Sequence, residues 1–282
     1  MRAERVTDRV TYHGEGAVWS SAWGGLRFVD MHAGDLMSLA AAGTVTREHL
    51  GELAACVRPR VGGGMVAAVK RGFMLEDPDG TRHTLPELWS DTGIRMNEGG
   101  CDPAGSFYCG SMSYSLEPGA GSVYRLSPGG KVDVALTGVT IPNGFAFSPD
   151  HLTAYHAETT TGEVRAYNWS VEDGLTNGRP FARIPDDAGA PDGLTVDSEG
   201  GLWVALWQGG AVWHFDSAGR HDETVEVGAS QVTSCALGGD GLDELWITTS
   251  WEGMDEDAEP VAGSLFRAQV GVKGLEPLPY AG

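Results

Sequence analysis

A short pattern recurs along this chain at a nearly fixed interval: an oxygen-bearing side chain, then glycine, then alternating apolar residues. Its copies begin at Glu15, Glu98, Asn143 and Asp192, each followed directly by glycine. The step is 45 positions from Glu98 to Asn143 and 49 from Asn143 to Asp192, and the 83 positions from Glu15 to Glu98 are close to two such steps. Apolar alternation after a turn predicts a β-strand, and a repeat of about 40 to 50 residues is typical of the blades of a β-propeller.

The segments between these copies also alternate in short runs, which predicts an all-β fold. The 42 glycines and the scarcity of helical patterns agree with this. We predict a single domain, residues 1–282, folded as a six-bladed β-propeller with four-stranded blades around a central channel. Glu4–Tyr12 are expected to pair with the last blade, which would close the ring and cover its edges. Blade two is expected to span Val57–Leu85, with Met65–Val69 as its innermost strand.

The start of each innermost strand of a propeller faces the central channel. Glu15, Glu98, Asn143 and Asp192 should therefore meet at one spot on the axis. A lone Asn-Gly or Asp-Gly pair is usually only a turn, but four copies at one repeat phase favour a site. Buried carboxylates repel one another unless a cation or a proton lies between them. Blade two offers Arg60–Gly64 at this phase, without an acid, and is expected to contribute nothing.

The charge of the chain excludes several classes of partner. Acidic residues outnumber basic ones by 39 to 19, which gives a net charge of −20. Nucleic acids and anionic membranes are bound by clustered Lys and Arg, so neither is expected as a partner. Met1–Val10 has no apolar core of signal-peptide length, and no segment reaches the roughly 20 apolar residues of a membrane span, so neither feature is expected. We expect a soluble, cytoplasmic protein that is a monomer or a weak homo-oligomer.

Several other groups of residues are predicted to be structural. The four cysteines have no CxxC spacing, and we expect buried free thiols, although Cys101 and Cys109 could meet. The eight histidines show no HxH or HExxH spacing and are not expected to be ligands. The acidic run Glu252–Glu259 is expected to be a solvated loop. Asp102 and Asp197 are expected to accept hydrogen bonds from backbone amides in turns.

Several segments, taken in order, resemble the gluconolactonase, regucalcin and luciferin-regenerating-enzyme family of six-bladed propellers. The matching pieces cover nearly the whole chain: Gly14–Trp19, Arg95–Gly99, Cys101–Met112, Pro142–Ser148, Pro191–Asp197 and Thr233–Gly239. The resemblance implies a divalent cation held by Glu15, Asn143 and Asp192.

The resemblance also implies that Arg95, Asn97 and the neighbouring Glu98 lie at the substrate site. The family usually has Asp where Glu98 stands, one methylene shorter. In some relatives a sugar-binding acid occupies the position of Ser115, and here Glu117 lies a little further on. These departures leave the metal residues intact and the identity of the substrate open.

Two carboxylates and one amide suit a hard divalent cation such as Ca²⁺, Mg²⁺ or Mn²⁺, and Zn²⁺ stays open because catalytic zinc accepts oxygen ligands. We expect a lactonase for a sugar-acid lactone, in which the cation polarises the carbonyl. A water activated by the metal, or by Asp192 as general base, would attack it. The G-x-S-x-G motif of serine hydrolases is absent. The alternatives are a propeller hydrolase for other esters or phosphoesters, and a non-catalytic divalent-cation-binding protein.

Overall fold

The computed structural model describes residues 1–40 and 43–282, which form six four-stranded antiparallel sheets in a ring. The predicted six-bladed β-propeller is confirmed. Blades one and two consist of β2 (Gly14–Ser20), β3 (Gly25–Asp30), β4 (Asp35–Leu39) and β5 (Val45–His49), then β6 (Ala54–Pro59), β7 (Met65–Val69), β8 (Gly72–Glu76) and β9 (Arg82–Thr84).

The remaining blades follow in chain order. Blades three and four consist of β10 (Ile94–Cys101), β11 (Phe107–Ser113), β12 (Gly121–Leu126) and β13 (Val132–Val139), then β14 (Pro142–Phe147), β15 (Thr153–Glu158), β16 (Glu163–Ser170) and β17 (Gly174–Arg183). Blades five and six consist of β18 (Ala190–Val196), β19 (Leu202–Trp207), β20 (Ala211–Phe215) and β21 (His221–Glu226), then β22 (Val232–Gly238), β23 (Glu244–Thr249), β24 (Phe266–Gln269) and β1 (Glu4–Arg5).

Blade six takes its outer strand from the other end of the chain. β1 pairs antiparallel with β24, with Glu4 opposite Arg267, and Arg267 Nη2 donates to Glu4 Oε1 at 2.6 Å. The prediction that the N-terminal segment closes the ring is confirmed. Because blade six is completed by a strand from the start of the chain, the two ends of the ring are tied together, and unpaired edge groups are covered.

The prediction for blade two is wrong, because it assigned the innermost strand to the wrong segment. Its innermost strand is β6, and Met65–Val69 forms the second strand, β7. The residues from Ala54 to Val57 are completely buried, so no polar alternation marks the strand in the sequence. Ala55 stands at the channel-facing phase, in place of Arg60–Gly64. Blade two therefore offers no acid to the channel, as expected, but for a different reason.

Aromatic contacts between neighbouring blades form much of the core. The Tyr108 and Phe145 rings stack between blades three and four with centroids 4.9 Å apart, and Trp19 and Trp246 stack between blades one and six at 5.9 Å. Such pairs contribute about 0.5–1.5 kcal/mol each beyond their buried area.

The four cysteines are buried and free, as expected. In the described part of the chain, no helix has the length and apolar character that a bilayer crossing requires.

Two of the turns that follow inner strands, those after β10 and β18, are each held by an aspartate. Asp197 is completely buried and accepts from the amides of Glu199 and Gly201 at 2.9 Å each. Its other oxygen lies 2.9 Å from His214 Nε2. Asp102 similarly accepts from two amides, at 2.9 and 2.8 Å. The expectation that these acids serve the backbone is confirmed by these contacts.

Replacing Asp197 with alanine should lower the free energy of unfolding by about 2–3 kcal/mol, because two amides and an imidazole lose their acceptor in a buried place. Urea unfolding of metal-free protein measures this. Asp216→Ala is the matched control, because Asp216 accepts from two turn amides at 2.9 Å but its side chain is 23% exposed. The control should lose clearly less stability than Asp197→Ala, because solvent can replace the lost acceptor. Equal losses would contradict a special role for burial at Asp197.

The loss at Asp197 should also depend on pH. Burial opposes ionisation of Asp197, but the hydrogen bonds from His214 and the two amides outweigh it and lower its pKa. Burial likewise opposes the charge on His214, yet its carboxylate partners raise its pKa. The contribution of Asp197 to the free energy of unfolding is lost as pH falls below its unfolded pKa of about 3.9. The contribution of the charged His214 is lost as pH rises above its unfolded pKa of about 6.5. The difference between wild type and Asp197→Ala should therefore be largest between those values.

Candidate metal centre

A local irregularity occurs in the innermost strand of every blade. Each of the six innermost strands shifts register against the second strand of its blade near its start. A bulge of this kind bends the strand and re-aims the residues within it. The residues at or beside the six shifts are Glu15, Ala55, Asn97 with Glu98, Asn143, Asp192 and Thr233.

After Asn143 and Asp192, the glycine is required by the packing of neighbouring inner strands. A Cβ atom on Gly144 would lie 2.5 Å from the backbone nitrogen of Leu194 in blade five. A Cβ atom on Gly193 would lie 2.5 Å from Ser234 Oγ in blade six. The repeated oxygen-glycine pair therefore combines a ligand-type side chain with the close strand approach that narrows the channel.

Three carboxylates meet inside this channel, and we call Glu15, Glu98 and Asp192 the carboxylate triad. One oxygen from each lies within 4.8 Å of the others, and the three residues are only 3–4% exposed. Among the described residues, Asp192 Oδ1 and Glu98 Oε2 have no hydrogen-bond partner. Close, buried carboxylate oxygens without donors suit a divalent cation, so the residues present fit such a group.

The electrostatics of the carboxylate triad point the same way. Burial, followed by the charges of Asp192 and Glu98, raises the pKa of Glu15 well above its usual range. Burial and the charge of Glu98 do the same to the pKa of Asp192. Burial raises the pKa of Glu98 to about 7, although Arg58 and Ser234 partly oppose this. A bound cation would offset both the desolvation and the repulsion.

Asn143 is held beside the triad by a chain of hydrogen bonds. Its Oδ1 accepts from Asn97 Nδ2 at 2.8 Å, and its Nδ2 donates to Thr159 Oγ1 at 2.7 Å. Thr159 Oγ1 in turn donates to the carbonyl of Pro191 at 2.8 Å. These bonds fix the orientation of the amide, so its oxygen keeps one lone pair free. The ligand role of Asn143 stays a prediction.

Arg95 and Asn97 point the same way from β10, as their alternation predicted. Arg95 Nη1 donates to Asn97 Oδ1 at 2.6 Å and to the Met96 carbonyl at 2.9 Å. Both Nδ2 hydrogens of Asn97 are donated within the protein, to Asn143 and, at 2.9 Å, to the Pro142 carbonyl. Arg95 Nε is buried and makes no hydrogen bond within the described part of the chain. Arg95 therefore has a donor to spare, whereas Asn97 chiefly positions its neighbours.

The sequence departs from the family pattern at Glu98 and Ser115, and the structure places these two residues differently. Asn97 and Glu98 both lie within the register shift of β10, so both face the channel and Glu98 joins the triad. Ser115 Oγ lies 2.7 Å from Ser113 Oγ, and Glu117 is exposed to solvent. Tyr114 of the same loop lies over Arg95, with 5.8 Å between the guanidinium carbon and the ring centroid. The sequence did not predict that contact.

A second group of ligand-type side chains lies next to the triad, and we call His13, His32 and Glu252 the mouth cluster. Their ligand atoms also lie within 4.8 Å of one another. Burial lowers the pKa of His13 to about 3, and the contact with His32 lowers the pKa of Glu252 to about 2. The expectation of a solvated acidic loop is wrong for Glu252, whose side chain is 37% exposed and faces both rings. Spacing rules missed the histidines because the three residues come from separate segments.

These features define a class of protein: a six-bladed propeller with an acid-rich channel mouth. A family model described as the SMP-30/gluconolactonase/LRE-like region matches residues 13–251. The chain belongs to this family, as its sequence resemblance predicted.

Individual relatives match over nearly the whole length of the chain. Regucalcin of Danio rerio is 34% identical over 293 residues, covering 100% of this chain and 99% of the relative. Pentonolactonase XacC of Haloferax volcanii is 34% identical and covers 97% of this chain and 96% of the relative. The crystal structure of a calcium-binding protein, regucalcin, from Agrobacterium tumefaciens superposes with a TM-score of 0.93 at 29% identity, covering 99% and 97% of the two chains.

Replacing Asp192 with asparagine should leave the metal-free protein as stable as wild type at pH 8, or more stable by up to about 2 kcal/mol, because one buried negative charge is removed from the triad. Chemical unfolding in the presence of a chelator measures this. Asp197→Asn is the matched control and should lose stability, because Asp197 accepts three hydrogen bonds. A loss at Asp192 as large as that at Asp197 would show that its carboxylate is satisfied within the protein.

Proposed function

We propose that this chain is a metal-dependent lactonase that hydrolyses a sugar-acid lactone to the open-chain hydroxy acid. The observation that carries the proposal is the carboxylate triad, in which Asp192 Oδ1 and Glu98 Oε2 lack donors among the described residues. The charge of Arg95 acts on the carboxylates of Glu15 and Asp192. A relative named pentonolactonase, identical at about a third of positions over nearly the full length, supports the substrate class.

In this proposal Glu15, Asn143 and Asp192 hold one divalent cation, and Glu98 joins them. We move Glu98 from the substrate to the ligands because one of its oxygens lies within 4.8 Å of those of Glu15 and Asp192. A donor set of oxygen atoms alone favours Ca²⁺, Mg²⁺ or Mn²⁺, with Zn²⁺ as the alternative. The relative described as a calcium-binding protein agrees with the first of these.

Each residue then has a part in the hydrolysis. The bound cation supplies Lewis acidity toward the lactone carbonyl. Asp192 accepts the proton of the attacking water on one carboxylate oxygen, while its other oxygen faces the cation. Arg95 Nε donates to a substrate oxygen and orients the ring. As the carbonyl carbon binds the water oxygen, the bond from that carbon to the ring oxygen breaks. The ring oxygen takes the proton that Asp192 accepted and leaves as the product hydroxyl.

Two other functions would use the same site. The first is a hydrolase for other esters or phosphoesters, for which the same cation and Arg95 would stabilise the developing negative charge. The second is a divalent-cation-binding protein without turnover, in keeping with relatives named regucalcin. A panel of sugar lactones, aryl esters and phosphotriesters, followed by proton release, separates all three.

Removing the metal should abolish lactone hydrolysis. Prolonged chelation is expected to reduce turnover to the uncatalysed rate, and at least one of Ca²⁺, Mg²⁺, Mn²⁺ or Zn²⁺ should restore it. Circular dichroism should show that the chelated protein stays folded, because six blades bury a core without the cation. Full activity in a preparation shown by elemental analysis to be metal-free would overturn the mechanism.

Replacing Arg95 with alanine should raise KM for a polar sugar lactone by about 10- to 100-fold, the effect of losing a charged hydrogen bond. Steady-state kinetics measures this, and metal content should stay near that of wild type. Arg179→Ala is the control, because Arg179 is exposed and donates only to Asn168 and Asn177 among the described residues. Loss of metal from Arg95→Ala would show that the guanidinium supports the ligands rather than the substrate.

A further inference from the structure

The mouth cluster has no part in the proposed hydrolysis, yet its three side chains form a ligand set of their own. We propose that His13, His32 and Glu252 bind a second divalent cation of the borderline class, for which Zn²⁺ is the test ion. The proposal does not depend on the lactonase activity, because none of these residues belongs to the carboxylate triad.

The geometry of the cluster matches a small cation. His32 Nε2 lies 2.7 Å from Glu252 Oε1, and His13 Nδ1 lies 3.4 Å from Glu252 Oε2. The two imidazole rings are 4.9 Å apart between centroids. Ligand atoms bonded to Zn²⁺ at about 2.0–2.1 Å in a tetrahedron are about 3.3 Å from each other. Small side-chain movements would bring the three groups to that separation.

The hydrogen bonding of the cluster leaves its nitrogen atoms available. Despite its closeness to Glu252, His32 Nε2 makes no hydrogen bond of normal geometry within the described residues. His13 Nδ1 lies 2.8 Å from Ser250 Oγ, which competes for the nitrogen. Ser250 Oγ can instead donate to the Tyr12 carbonyl, 3.4 Å away. That rotation frees the lone pair of His13 without moving the backbone.

The donor types select the ion. Two imidazoles and one carboxylate are a common ligand set for catalytic Zn²⁺ and related first-row metals, whereas Ca²⁺ and Mg²⁺ prefer oxygen alone. His32 and Glu252 have side chains 24% and 37% exposed, so an ion can reach them from solvent. The fourth position would be open to water.

The other nitrogen of His13 ties the cluster to the triad. His13 Nε2 lies 3.7 Å from Glu15 Oε1. With a metal on Nδ1, the proton of the neutral ring is on Nε2 and faces that carboxylate. A carboxylate behind a metal-bound histidine fixes the tautomer and the ring orientation. At 3.7 Å this contact is too long for a hydrogen bond, so Glu15 favours that tautomer through its charge.

Zn²⁺ binding to metal-free protein tests the proposal. Native mass spectrometry counts the ions, isothermal titration gives each affinity, and Co²⁺ absorption reports the nitrogen-containing site. His32→Ala and Glu252→Gln should each weaken the same Zn²⁺ site by at least about tenfold. His83→Ala is the matched control, because His83 is 56% exposed and lies outside the cluster, paired with Asp77. Melting curves verify that each variant is folded.

The outcomes separate this site from the triad. Asp192→Asn should remove binding at the triad and leave the site sensitive to His32. If only Asp192→Asn alters Zn²⁺ binding, the proposal is overturned and the triad alone binds the ion. If His83→Ala lowers the affinity as much as His32→Ala, the binding belongs to scattered surface histidines, and the proposal also fails. The proposal is supported if both His32→Ala and Glu252→Gln lose Zn²⁺ affinity at the mouth cluster and Asp192→Asn does not. This holds even if the protein hydrolyses no lactone.

Discussion

The constraint that the rest of the structure must withstand is the repulsion among the carboxylates of Glu15, Glu98 and Asp192 in one buried space. Removing an ionised carboxylate from water costs several kcal/mol, and two near neighbours of the same charge increase that cost. The metal-free channel therefore opposes folding at this point. The ring closed by β1 and the aromatic contacts between blades stabilise the fold independently of the channel. The fold can thus hold a costly group of charges in place for a cation.

The register shift near the start of each innermost strand explains why so much of this site could be predicted from the sequence. Each blade is one repeat, so residues at one phase of the repeat occupy equivalent places around the axis. The bulge turns the residue at that phase into the channel, and the following glycine lets the next inner strand approach. The convergence of Glu15, Glu98 and Asp192 follows from their spacing for this reason.

What the sequence did not reveal lies where the repeat signal is weak. Ala54–Val57 of β6 and Met65–Val69 of β7 are both uniformly apolar, so alternation does not distinguish the innermost strand of blade two from the second one. Its channel position is Ala55, which carries no oxygen-bearing side chain to mark the phase. The mouth cluster joins residues before β2, after β3 and after β23, and no spacing rule connects such segments. Nor does sequence show whether Glu98 reaches the cation or the substrate, because one methylene decides it.

The two groups of ligands at the mouth are compatible in charge, although two cations close together repel. Unit charges about 4 Å apart interact by about 4 kcal/mol in a partly buried setting, so the balance of the whole mouth matters. The triad and Glu252 bring up to four negative charges, and two divalent cations bring four positive ones. Arg95, 7% exposed, then adds one further positive charge beside the triad. With both ions bound, the mouth would keep a net attraction for a substrate oxygen that gains negative charge.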